Sequence, residues 1–259
     1  MKKIKLGILG PTGRMGSQII NESKYFNNLN IVSLCEKRNH EKVGSKIENM
    51  IITDNLEECV STSDVVVDFS MPDATISLIR VLNDYKNKAA VIGTTGFSNS
   101  QEITFKKLSK NMKILRASNM SYGVNLMLNL TRIISSKLPN DVDVEILEIH
   151  HRKKKDTPSG TAVSLGEEVN LSDKSKKKFV YRGFNLIQDR KKNELGFSSV
   201  RGGDVIGEHT VFFLMNGERL ELTHRASDRG IFARGSLMAC EWLHKQDPGI
   251  YNMKDVVNL

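Results

Sequence analysis

The segment Gly10-Pro11-Thr12-Gly13-Arg14-Met15-Gly16 follows an apolar run at 3–9 and precedes a helix-compatible run through Ser17-Gln18-Ile19-Ile20. Three glycines spaced this way between a strand and a helix constrain the backbone tightly. The first allows a sharp turn, the second lets the backbone approach a pyrophosphate, and the third permits close helix–strand packing. The helix N-terminus then offers partial positive charge to phosphates. A plain strand–helix turn can carry the same glycines, so context decides. Glu36 closes the next strand-like run, 30–35, twenty residues after Gly16. A carboxylate there can hold adenine-ribose hydroxyls. The neighbouring Lys37 and Arg38 can pair with a ribose 2′-phosphate. The combination points to a nicotinamide dinucleotide.

Three more strand-like runs follow at 64–69, 89–93 and 113–117, with helical spacing at 72–86. The run at 64–69 is nearly all apolar, as a sheet covered on both faces requires. Strands alternating with helices over the first 120 residues predict an α/β fold, a Rossmann-like doubly wound parallel sheet. Gly93-Thr94-Thr95-Gly96 ends the fourth strand and Ala117-Ser118-Asn119-Met120 the fifth. Ligands of open α/β sheets bind beyond the carboxyl ends of the strands, so both are candidate cofactor loops.

The pattern then changes. A long apolar-periodic helix is expected at 122–138 and an alternating, half-exposed strand at 142–150. Ser159-Gly160-Thr161 opens another helix. Long antiparallel strands are expected at 198–215 and 219–226, with Asn216-Gly217 as the hairpin turn. A last helix runs from about 229 to 244. These segments predict a C-terminal α+β domain with an open sheet and helices on one side. The predicted division is a dinucleotide-binding domain at 1–120, completed by the C-terminal helix at about 230–259, and a second domain at 121–229. His224-Arg225-Ala226-Ser227-Asp228-Arg229 reads as a hinge at the exit from the second domain.

The densest chemistry lies in Glu148-Ile149-His150-His151-Arg152-Lys153-Lys154-Lys155-Asp156-Thr157-Pro158-Ser159-Gly160-Thr161. A helix N-terminus with Ser and Thr hydroxyls binds carboxylate well. Lysine and arginine add charge-assisted hydrogen bonds, and a histidine exchanges protons near neutral pH. Separately, the histidines could be structural, the cations a solvated run and Ser159 a mere cap. Their coincidence suits an anionic, dicarboxylic substrate. No metal is implied, because adjacent histidines on a strand face opposite ways. In Arg201-Gly202-Gly203-Asp204-Val205-Ile206-Gly207-Glu208-His209-Thr210 the glycines suit a bend, and Asp204, Glu208 and His209 read as structural or as an oligomer contact.

Charge narrows the function classes. Residues 150–192 hold 12 Lys/Arg against 5 Asp/Glu, most of the net +8 of the chain. Without interleaved aromatics or a reader motif, this stretch does not suit nucleic acid. The Lys176-Lys177-Lys178 run is expected on a solvated face. With 39% apolar and 26% charged residues in 259, the composition is that of a globular chain. No apolar run reaches the ~18 residues of a membrane span, and the start does not read as a signal peptide. Cys35, Cys59 and Cys240 lack metal or disulfide spacing, which leaves buried reduced thiols and a cytoplasmic location as the expectation.

The chain resembles the 4-hydroxy-tetrahydrodipicolinate (dihydrodipicolinate) reductase family of lysine and diaminopimelate biosynthesis. The likeness rests on GPTGRMG at 10–16, DFSMPDAT at 68–75, GTTGFS at 93–98, EIHHRKKKDTPSGTA at 148–162, RGGDVIGEHTVFF at 201–213 and ERLELTHRASDR at 218–229. It implies an oxidoreductase that uses NADH or NADPH to reduce 4-hydroxy-tetrahydrodipicolinate with loss of water. It implies His150 as proton donor/acceptor and Lys154 as proton donor, with His151, Ser159, Gly160 and Thr161 on the substrate. Cofactor contacts are implied at Gly10, Pro11, Thr12, Gly13, Arg14, Met15, Glu36, Lys37, Gly93, Thr94, Thr95, Ala117, Ser118, Asn119 and Met120. A homotetramer joined through the C-terminal-domain sheets is also implied, with no nucleic-acid or membrane partner. Met71 stands where some relatives carry an arginine near the cofactor phosphate, Met120 where some carry an aromatic, and Thr157 where alanine is common. Two rivals are another two-domain reductase of a small carboxylic acid and a non-catalytic dinucleotide-sensing or nucleic-acid-binding protein. The HHR…SGTA block speaks against both.

Overall fold

The computed structural model describes residues 2–139, 141–172, 176–181 and 188–257. The chain divides into two compact units, one of Met1–Tyr122 and Gly230–Val256, the other of Gly123–Arg229 and Val257–Leu259.

The first unit is a three-layer α/β sandwich. Its strands are β1 (Ile4–Leu9), β2 (Leu29–Cys35), β3 (Lys46–Ile47), β4 (Met50–Thr53), β5 (Val65–Asp68), β6 (Ala89–Ile92), β7 (Lys113–Arg116) and β13 (Gly249–Tyr251), in sheet order β13-β7-β6-β5-β1-β2-β4-β3. All neighbours are parallel except the short β3–β4 pair. The order reverses between β1 and β5, the switch point where such sheets bind ligands. Helices α1 (Arg14–Ser23), α2 (Leu56–Thr62), α3 (Pro72–Leu82), α4 (Asn99–Leu108), α7 (Gly230–Leu243) and α8 (Met253–Val256) complete the unit. One core cluster joins the sheet to Ile19 and Ile20 of α1 and to Ala233, Leu237 and Cys240 of α7. A second joins the other face to Cys59, Ile76, Ile79 and Phe105 of α2, α3 and α4. Burial on both faces explains the unbroken Val65-Val66-Val67 run.

The second unit is a five-stranded sheet with helices α5 (Tyr122–Lys137) and α6 (Gly160–Ser172). Its strands β8 (Asp143–His150), β9 (Lys178–Tyr181), β10 (Glu194–Arg201), β11 (Gly207–Leu214) and β12 (Arg219–Ala226) run in the order β12-β11-β8-β10-β9. Val144 and Ile146 of β8, Val211 and Phe213 of β11, and Leu195 and Phe197 of β10 form its core with Val124 and Leu128 of α5 and Leu165 and Val169 of α6. On the opposite face Leu147, Ile149, Phe212 and Leu214 stay half-buried.

The structure corrects three expectations. Segment 198–215 is not one strand: β10 ends at Arg201, β11 begins at Gly207, and β10 runs parallel to β8. His224, Arg225 and Ala226 are not hinge residues, because they pair with His209, Glu208 and Gly207 along the β11–β12 hairpin. Lys177 is buried rather than solvated, and its Nζ donates to Val142 O at 3.2 Å. A backbone carbonyl and a buried stem hold it there, as long cationic side chains allow. The short strands β3, β4, β9 and β13 had no expectation attached to them.

Candidate active site

The second unit holds the proton-handling cluster. The 142–150 alternation slips phase at Leu147, which puts Glu148 and His150 on the buried face with Val144 and Ile146. Burying a carboxylate there is costly unless it is fully bonded. Its partner is set by register. Parallel pairing places Arg201 opposite His150 and Ser199 opposite Glu148. From there Arg201 clamps Glu148 with both nitrogens, Nη1 to Oε2 at 2.8 Å and Nη2 to Oε1 at 2.6 Å. Glu148 Oε2 also pairs with His150 Nδ1. Burial opposes the Glu148 charge, but hydrogen bonds from Arg201, Ser199 and His150 hold its carboxyl below the usual carboxylate range. Burial pulls the His150 imidazole down, against the pull of Glu148.

Antiparallel pairing of β11 with β8 puts His209 opposite Glu148. The rings of His150 and His209 meet edge-on with centroids 5.1 Å apart. His209 Nε2 lies 3.0 Å from Ser159 Oγ, which also accepts from Ala162 N–H at 3.2 Å as the cap of α6. His209 Nδ1 is buried without a hydrogen-bond partner among the described residues. An orphaned acceptor costs less than an orphaned N–H, so the proton belongs on Nε2, which donates to Ser159. The Ser159 oxygen then accepts twice and its own hydrogen is left to donate. The His209 imidazole is pushed down to about 3 by burial first, then by the nearby His150, His224 and Lys154, with Glu148 opposing.

His151, Arg152, Lys153, Lys154 and Lys155 form the loop between β8 and α6. Lys154 Nζ pairs with Asp156 Oδ1 at 3.0 Å, and Arg201 Nη2 reaches Asp156 O at 2.7 Å. Gly160 and Thr161 form the first turn of α6, which carries no acidic residue. The structure therefore brings His150, Lys154, Ser159, Gly160 and Thr161 to one end of β8 and α6. Sequence reasoning missed Glu148 and Arg201 as site residues, and it read His209 only as structural or as an oligomer contact. The phase slip at Leu147 was the available signal for Glu148.

In the first unit the expected cofactor residues follow β1, β2, β6 and β7, which with β5 form one continuous run of the sheet. Gly10 N–H donates to Cys35 O at 2.9 Å, Gly93 N–H to Asp68 O at 2.8 Å, and Ala117 N–H to Ile92 O at 3.1 Å. Gly16 is packed so closely that a Cβ would lie 2.1 Å from Gly10 O. The α1 N-terminus has no acidic residue in its first turn and no side chain bonded at its cap, Gly13. A cleft of about 640 Å³ opens beside it, lined by Gly10, Thr12, Gly13, Glu36, Lys37, Arg38, Phe69, Ser70 and Met71 among others. Glu36 Oε1 accepts from Thr12 Oγ1 at 2.6 Å and Thr12 N at 3.1 Å. These features fit a dinucleotide: a carboxylate for ribose, free helix N–H groups for phosphate, two cations at the rim. Thr94 and Ser70 also converge, with Ser70 N–H donating to Thr94 Oγ1 at 3.1 Å. Pro11 is buried, Arg14, Thr95 and Ser118 are exposed, and Asn119 is half-buried. Met15 packs against the core and Met120 is inside it, 2% exposed. Among the described residues no three His, Cys, Asp or Glu side chains gather as a metal site would need, and no helix is long and apolar enough to cross a membrane.

Comparison with known proteins gives a consistent result. The family model described as dihydrodipicolinate reductase, N-terminus, matches residues 4–120, and that described as dihydrodipicolinate reductase, C-terminus, matches 123–257. The chain is 38% identical over 264 residues to the 4-hydroxy-tetrahydrodipicolinate reductase of Syntrophus aciditrophicus, covering 98% of each chain. It is 38% identical over 261 residues to that of Pelagibacter ubique, covering 100% of this chain and 99% of the relative. In fold it is similar to a dipicolinate-bound dihydrodipicolinate reductase from Paenisporosarcina sp. TG-14, with a TM-score of 0.80 at 24% identity, covering 98% of this chain and 99% of that one. The chain therefore belongs to the dihydrodipicolinate reductase family.

Proposed function

We propose that the chain reduces 4-hydroxy-tetrahydrodipicolinate to tetrahydrodipicolinate, with NADH or NADPH as reductant, in lysine and diaminopimelate biosynthesis. The reaction consumes one hydride and one proton and releases one water. The observation that carries this reading is the contact chain His150–His209–Ser159. It unites a proton-handling histidine with a helix start suited to carboxylate, at the end of a loop carrying four consecutive cations. That is the equipment a cyclic dicarboxylate needs for loss of a hydroxyl group.

His151, Ser159, Gly160 and Thr161 hold the substrate carboxylates through hydroxyl and helix N–H donors. His150 and Lys154 move the protons: elimination takes one from the ring carbon beside C4 and gives one to the departing hydroxyl, and that carbon, left electron-rich by hydride addition at C4, takes one up again. Arg152, Lys153 and Lys155 stabilise negative charge on the carboxylates. Gly10, Thr12, Gly13, Arg14, Glu36 and Lys37 hold the adenosine and phosphate half of the dinucleotide. The 93–95 and 117–120 loops hold its nicotinamide half. When bound, the reduced nicotinamide supplies the hydride. Glu36 suits the ribose hydroxyls of NADH, while Lys37 and Arg38 suit the 2′-phosphate of NADPH, so both cofactors are expected to serve. The half-buried apolar face of the second sheet suits a homotetramer contact. Three free buried thiols accord with a cytoplasmic enzyme.

The test is a coupled assay in which aspartate semialdehyde, pyruvate and the preceding synthase generate the unstable substrate. Reduced-nicotinamide absorbance should fall with NADH and with NADPH only when all components are present. Folded protein that binds dinucleotide yet oxidises neither would overturn the proposal.

A further inference from the structure

The cationic loop and His150 are on consecutive pieces of chain, and one buried ion pair that bridges β8 and β10 touches both. We propose that Glu148 and Arg201 act together as a positioning device that fixes the proton on His150 Nδ1 and anchors the loop that carries Lys154. The proposal rests on the proton-transfer reading of His150 and Lys154.

Glu148 has no exposed surface. Each of its oxygens is engaged by Arg201, and Oε2 is shared with His150 Nδ1. An ionised carboxylate only accepts hydrogen bonds. Nδ1 must therefore be the donor, which leaves the Nε2 lone pair to meet the substrate. A second partner fixing ring tautomer and orientation is a general feature of functional histidines. The same guanidinium does a second task. Its Nη2 also donates to Asp156 O at 2.7 Å and to Thr157 Oγ1 at 3.2 Å. Asp156 in turn pairs with Lys154. The loop is thus held at Asp156 by Arg201 and at Arg152, whose N–H donates to Gly203 O at 3.3 Å. One carboxylate orients His150 directly and Lys154 through two links.

The groups that set the charge of His150 come from four elements. Glu148 on β8 favours the protonated ring. Lys154 of the loop and Arg201 of β10 oppose it, as does burial. His209 on β11 lies against the ring and itself faces His224 of β12. Glu148 is the one favourable charge among them, so removing it acts in a single direction.

The experiment is a nuclear magnetic resonance titration of ring-labelled histidines in the cofactor-free full chain, wild type against Glu148→Gln. The His150 midpoint should fall by about one pH unit or more, and the fraction of proton on Nδ1 should drop. With the coupled substrate, kcat should fall by roughly 10- to 100-fold, with KM for NADH changed much less. A His150 midpoint and tautomer unchanged in Glu148→Gln would overturn the proposal, whatever the turnover. A wild type that turned over no substrate while the titration moved as expected would leave the device standing and remove the assigned reaction. Arg201→Lys serves if Glu148→Gln fails to fold. It keeps the charge but loses the fork, so hydrogen exchange at 151–157 should quicken by about 10-fold or more while β8 amides change little. Unchanged exchange at 151–157 would overturn the loop-anchoring half.

Discussion

Replacing His209 with glutamine should remove a large part of the acid sensitivity of the second unit. His209 is 4% exposed, and its imidazole stays neutral down to about pH 3 because burial, His150, His224 and Lys154 disfavour the charged ring more than Glu148 favours it. In the unfolded chain the ring takes up its proton at the ordinary value of 6.5. Between these two values the unfolded state binds the extra proton, so acid favours unfolding and stability rises with pH. One pKa unit corresponds to about 1.4 kcal/mol, so this ring alone should cost about 2 kcal/mol at pH 5 relative to pH 7.5. The loss should level off near about 5 kcal/mol below pH 3, where both states are protonated. Glutamine does not titrate and keeps an N–H that can reach Ser159. Urea unfolding followed by circular dichroism at pH 7.5, 6 and 5 gives the comparison, and hydrogen exchange of β8 and β11 peptides localises it. The wild type should lose about 2 kcal/mol more than the variant between pH 7.5 and 5. Parallel stability curves would refute the account of His209 as a buried neutral donor to Ser159.

Other perturbations separate the parts of the site. Lys154→Ala should lose about 10²- to 10⁴-fold in turnover while binding NADH almost normally by calorimetry, and near-normal turnover would end its catalytic role. Gly16→Ala would set a methyl 2.1 Å from Gly10 O and 2.7 Å from Pro11 Cα, both backbone, so the loop must shift. NADH affinity should then fall by about 10-fold or more, read by calorimetry. Asp68 is fully buried and accepts from the hydroxyls of Ser70 and Thr75 and from Ser70 N–H at 2.9 Å. Asp68→Ala strands these donors and should destabilise the first unit by about 2–4 kcal/mol, read by Trp242 fluorescence in denaturant. A cost below about 0.5 kcal/mol would show that water satisfies them.

Much of the first unit was legible because its signals are local. Val65-Val66-Val67 is a run that only a sheet covered on both faces buries, and the glycines of 10–16 mark the strand–helix turn directly. The short β3–β4 pair and β13 escaped, since two to four residues of mixed polarity carry no periodicity. In the second unit, Asn216-Gly217 announced its hairpin and the glycines at 202, 203 and 207 a bend, which separates β10 from β11, but nothing local announces that β10 lies parallel to β8. The site divides the same way. His150 through Thr161 is contiguous and could be read as one cluster. Arg201 and His209 join it only through register, which is a long-range property. Lys177 looked solvated because it sits in a lysine run, whereas its ammonium is held by carbonyls from distant residues.

The most direct test of the central claim follows the hydride itself. NADH carrying deuterium at both positions of nicotinamide C4 would be supplied to the coupled reaction, and the tetrahydrodipicolinate formed would be examined by mass spectrometry and nuclear magnetic resonance. The account predicts one deuterium per product, at C4, with the second new hydrogen drawn from solvent. Product that carries no deuterium, or deuterated cofactor left unconsumed by active synthase and folded reductase, would contradict it.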